Sequence, residues 1–108
     1  MSNFERIQVL LDFLEEEPDN PFNLYALALE YQNIEPEKAE IYFDKLLNEH
    51  KGYLPTYYHA AAFFEQKGDI AQAKDIYKAG IALATQKGEE KTLKELKNAY
   101  MNFQFENE

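Results

Sequence analysis

Cysteine is absent from the 108 residues, which excludes a disulfide framework and any thiolate metal site. Long apolar runs are absent as well, and none approaches the roughly 20 residues that a bilayer-spanning helix needs. The N-terminus, Met1-Ser2-Asn3-Phe4-Glu5, lacks the basic start and apolar stretch of a secretory signal. Together these lacks predict a cytoplasmic protein. Positive charge is scarce, with 11 Lys and Arg against 20 Asp and Glu and a net charge of −9. The deficit is concentrated at one end, since residues 1–35 hold eight acids and a single base, Arg6. Residues 36–88 are balanced at seven of each, and 89–108 hold five acids against three lysines. Such a surface repels nucleic-acid phosphates and anionic lipid, whose binding depends on clustered Lys and Arg. Neither nucleic acid nor membrane is therefore expected as a partner, and the N-terminal third suits a neutral to basic protein or peptide.

Catalytic signatures are missing too. No H-E-x-x-H, phosphate loop or serine elbow occurs. His50 falls at a helix end, and His59 has Pro55 and Phe63 four residues to either side, so His59 has no acid at those places on its own helix. The run Glu15-Glu16-Glu17 reads as exposed, whereas acid–base chemistry needs a cleft and a shifted pKa. The expectation is a protein that is not an enzyme and uses no cofactor and no metal.

What the chain does have is apolar material, 45% of its residues, with eight Phe and eight Tyr. That material recurs at helical spacing between clear stops. Ser2 followed by Glu5 predicts a capping box, ahead of Phe4, Ile7, Leu10, Leu11 and Leu14. Pro18 ends that run. Asn20-Pro21 opens a second helix with Leu24, Leu27, Ala28 and Tyr31 as its buried stripe. Pro36 opens a third, carrying Ala39, Tyr42, Phe43, Leu46 and Leu47, and Pro55 a fourth, carrying Tyr57, Ala60, Ala61 and Phe64 up to Gly68. Asp69 with Gln72 caps a fifth, with Ala73, Ile76, Tyr77, Gly80, Ile81 and Ala84 up to Gly88. A sixth starts near Glu89 and carries Leu93, Leu96, Tyr100 and Phe103. No segment alternates as a half-buried strand would, and the short connections force neighbouring helices antiparallel.

The stripes repeat. Leu24, Leu27, Ala28 and Tyr31 return 33 residues later as Tyr57, Ala60, Ala61 and Phe64, and 36 further on as Leu93, Leu96, Lys97 and Tyr100. Ala39 and Phe43 return 34 later as Ala73 and Tyr77. A period near 34 with this helix–turn–helix pattern resembles the tetratricopeptide repeat family. The resemblance covers about residues 3–103 and implies an all-α fold, a right-handed α-α superhelix of about six helices in antiparallel hairpins. It implies one domain over 1–108, with 3–17 as an orphan second helix (helix B) and Leu10 and Phe13 at its packing positions. Repeat 1 then spans 21–53, repeat 2 spans 54–88, and 89–105 is a C-terminal capping helix. In this pattern small residues let helix backbones approach, and Gly80, which costs roughly 1 kcal/mol relative to Ala inside a helix, is one of them.

The resemblance also implies where a partner would sit. In the family the first helix of each repeat (helix A) lines a concave groove. Its groove positions fall here on Phe22, Tyr25, Leu29, Gln32 and Asn33, then on Pro55, Tyr58, Ala62, Glu65 and Gln66. On the last helix they fall on Lys91, Lys94, Asn98, Met101 and Asn102. Phe22, Tyr25 and Tyr58 are large rings at positions the repeat does not need for its own core, and tyrosine suits a surface that is part apolar and part wet. The family's carboxylate-clamp subset would need basic and Asn side chains where this chain has Tyr25, Leu29 and Ala62, and only Lys94 matches. The function implied is a protein-interaction module, an adaptor or scaffold, binding a peptide or protein segment in an aromatic groove. The alternatives are a self-assembling module, a homodimer for instance, favoured by Tyr100, Met101, Phe103 and Phe105, or a non-catalytic subunit of a larger complex.

Overall fold

A computed structural model describes residues 1–108. It consists of six helices and no strand: α1 (Asn3–Glu16), α2 (Pro21–Tyr31), α3 (Pro36–Glu49), α4 (Pro55–Lys67), α5 (Ile70–Lys87) and α6 (Glu90–Glu106). Their ends follow from the punctuation. Ser2 Oγ accepts from the Glu5 amide at 3.2 Å, and its hydroxyl donates to the Glu5 carboxylate, so Glu5 answers the hydroxyl rather than the Ser2 backbone N–H. Asn20 Oδ1 accepts from the Phe22 amide at 3.0 Å ahead of Pro21. Asp69 Oδ1 accepts from the Gln72 amide at 3.2 Å. Gly68 (φ 95°) and Gly88 (φ 69°) take the left-handed conformation that glycine adopts without a Cβ penalty. Each closes its helix with a reverse pair of bonds, Asp69 N–H to Phe64 O and Gly68 N–H to Glu65 O, then Glu89 N–H to Ala84 O and Gly88 N–H to Thr85 O.

The chain divides into two compact units, Met1–Thr56 and Tyr57–Glu108. In the first, α1 and α3 both pack on α2. Leu24, Leu27 and Ala28 of α2 and Ala39, Phe43 and Leu46 of α3 are sealed from solvent. Tyr31 stacks on Tyr42 with centroids 5.9 Å apart. Burying each Leu or Phe of such a cluster stabilises by about 1.5–3 kcal/mol.

Helix α1 is attached more thinly than its apolar content suggests. Ile7 is its one buried residue, and Arg6 Nε donates to Glu30 Oε1 of α2 at 2.6 Å. With Ile7 at the contact, Phe13 lies about 240° round the helix and ends up exposed. Phe13 is thus not a packing position, whereas Leu10, one turn on from Ile7, is half-buried; Phe4, at the start of the helix, is exposed.

In the second unit α5 is flanked by α4 and α6. Gly80 is the meeting point, since a Cβ added there would come within 2.6 Å of Tyr57 Cβ and 3.3 Å of Leu96 Cδ1. The small residue is therefore required by close approach. Tyr77 of α5 lies 5.3 Å from the ring of Phe103 and 5.7 Å from that of Tyr100. Burial, with Glu65, Tyr58 and Glu106 adding to it, pushes the Tyr77 phenol up to about 12. Phe63 is buried too, edge-on to Phe64 at 5.2 Å, although it lies outside the stripe that recurs from α2 to α4.

Candidate protein-binding faces

On α2, the Asn20 cap and Pro21 set the direction of the first turn and leave Phe22 49% exposed. Tyr25, one turn on, is half-buried and meets Tyr53 edge to face at 5.8 Å. Tyr53 comes from the connection after α3, and nothing in the helical stripes marks it as a neighbour of Tyr25. Burial raises both phenols above their ordinary value. Leu29 and Gln32 are half-buried and Asn33 is exposed. The first unit therefore presents one open ring and one seated ring on a ridge without a basic residue.

On α4, Tyr58 is 45% exposed and contacts the ring of His59 at 5.4 Å. Burial lowers the His59 pKa below its ordinary value. Ala62 and Gln66 are exposed. Glu65 is half-buried and accepts from Asn107 Nδ2 at 3.1 Å, a bond that ties the end of α6 to the end of α4. Glu65 thus has a structural partner within its own unit.

Lys94 and Asn98 lie exposed on α6 and, with Glu90, Leu93 and Lys97, line an open depression of about 240 Å³. All five residues come from one helix, and the volume falls below that of ordinary small-molecule sites. Pro55, Lys91, Met101 and Asn102 are likewise exposed. Phe103 is buried against Tyr77 and Tyr100 is half-buried beside it, while Met101 and Phe105 of the C-terminal group are exposed. No group of three or more His, Asp or Glu side chains is placed to hold a metal ion. No helix is long and apolar enough to cross a membrane.

Compared with known structures, the chain is similar to a tetratricopeptide repeat domain protein from Salinibacter ruber, solved both in solution and in a crystal. The NMR structure is 33% identical, with a TM-score of 0.74, over 81% of this chain and 89% of that one. The crystal structure is 32% identical, with a TM-score of 0.73, over 79% of this chain and 97% of that one. No family model and no curated protein matches the chain.

Proposed function

Because the chain belongs to the tetratricopeptide repeat family, we propose that it is a non-catalytic protein-interaction module whose helix A faces take an apolar, neutral to basic peptide segment. The supporting observation is that Phe22 and Tyr58 stay 49% and 45% exposed at helix A positions. An exposed ring loses little on being covered by a partner and contributes large apolar area when it is, which is how aromatic hot spots act. Tyr25 and Leu29 extend the α2 face, and Ala62 gives the α4 face room for a ligand side chain. Lys94 and Asn98 give the α6 face a more polar character. The acids of residues 1–35 attract basic ligand residues and speed their approach.

A peptide library displayed on phage and panned on the protein tests this reading. Selected peptides should be rich in apolar and basic residues, and Phe22→Ala with Tyr58→Ala should weaken their binding by about 2 kcal/mol or more. The melting temperature of that variant should stay close to wild type, since both rings are half in water. Selected peptides that bind the double variant unchanged would clear these faces of the role.

A further inference from the structure

One end of the first unit combines exposed rings with an unusual charge pattern. Phe13, in the penultimate turn of α1, and Phe22, in the first turn of α2, are both about half exposed and lie on either side of the short 17–20 connection. That connection is held by Asn20 Nδ2 donating to Glu17 Oε2 at 3.1 Å. Around it stand Glu15, Glu16, Glu17 and Asp19, all exposed, and no base occurs between Arg6 and Lys38. Arg6 itself is held by Glu30. Two of these acids fall in the last turn of α1, which carries no basic residue. Helix C-termini favour cations, so carboxylates there raise the local negative potential.

Helix α6 has the opposite character. Lys94, Asn98, Met101 and Phe105 recur at i, i+4, i+7 and i+11 on one line of it, with Lys91 and Lys97 alongside and Glu90 at its start. Met101 is 52% and Phe105 71% exposed. The line is held rigidly, because Phe103 is buried on the other side of the helix and Asn107 is bonded to Glu65.

We propose that the α1–α2 end of one copy receives α6 of a second copy, Phe13 and Phe22 packing on Met101 and Phe105 while the lysines meet the carboxylates of residues 15–19. Pairing of like faces is opposed by charge, acids on acids at α1 and lysines on lysines at α6, so the contact is heterologous. The net charge of −9 repels one copy from another at long range. At about 0.15 M salt, where screening acts beyond about 8 Å, that repulsion fades and close pairs at the contact persist. Phe22 belongs both to this surface and to the peptide face proposed above, so assembly and peptide binding compete.

Sedimentation velocity of the whole chain, from about 10 μM to about 1 mM at physiological ionic strength, spans the weak affinities expected of a small contact. Mass should rise with concentration. Phe13→Lys alone, and Met101→Glu with Phe105→Glu, should each abolish the rise; all three positions are exposed, so each variant keeps its helical circular dichroism. Mixed together, the two variants should form a 1:1 complex, since each retains the face the other has lost. A monomeric wild type over the whole range overturns the proposal. So does a mixture that stays monomeric, which would point to a like-with-like contact. Neither variant alters Phe22, Tyr25 or Tyr58, so peptide selection on them tests the functional reading separately.

Discussion

Gly80 and Tyr77 share one helix, and each shows how a single side chain answers to its surroundings. An alanine at 80 gains helix propensity of about 1 kcal/mol over glycine. Its methyl group, however, would stand 2.6 Å from Tyr57 Cβ, a contact with the stem of the ring rather than its movable tip. Overpacking of that kind costs about 1–3 kcal/mol, so Gly80→Ala should destabilise in spite of propensity, as read from a chemical melt. Were it stabilising instead, Tyr57 would have to move with little loss. Tyr77 makes a prediction about alkaline pH. Its folded pKa of about 12 stands above the ordinary value of 10.0, so the unfolded chain releases the proton first. The stability this confers is complete below pH 10 and is lost as pH rises through the folded pKa. Tyr77→Phe should flatten that fall in a series of urea melts, and a fall that stays as steep would assign it to other tyrosines.

Helix α1 is the element whose place was least legible from its residues. Its apolar positions surround more than half the helix, and several of them could have been the buried centre. The centre falls on Ile7, next to Arg6, which pairs with Glu30, a partner 24 residues away that no local pattern announces. Phe13 is then turned outward. Ile7→Ala should therefore release α1 more than its lost methyl groups suggest, since no second fully buried side chain holds it. Hydrogen exchange should show fast α1 amides with α3 still protected, and an α1 that stays protected would mean that its half-buried leucines suffice. The other helices were legible for a plain reason. Pro21, Pro36 and Pro55 start them, Gly68 and Gly88 stop them, and their small residues Ala28, Ala39, Ala61 and Ala73 recur at the repeat period and are sealed. Stripe counting could not tell Phe103, which turns in to Tyr77, from Phe105, which faces out, nor could it bring Tyr53 from a connection to Tyr25.

At the scale of the molecule, each unit holds its own core, Leu24, Phe43 and Leu46 in one and Phe64, Tyr77 and Leu96 in the other. The candidate faces were legible as positions, because the repeat register assigns Phe22 and Tyr58 to helix A whatever they touch. Their exposure was not, since it depends on packing at a distance in sequence. In the first unit α2 packs with α1 before it and α3 after it, and in the second α5 packs with its neighbour α6. Partners so close along the chain find one another after closing only short loops, and such topologies fold in microseconds to milliseconds. A newly made helix of this protein waits only for the next one to emerge, so its apolar stripes spend little time unpaired in water.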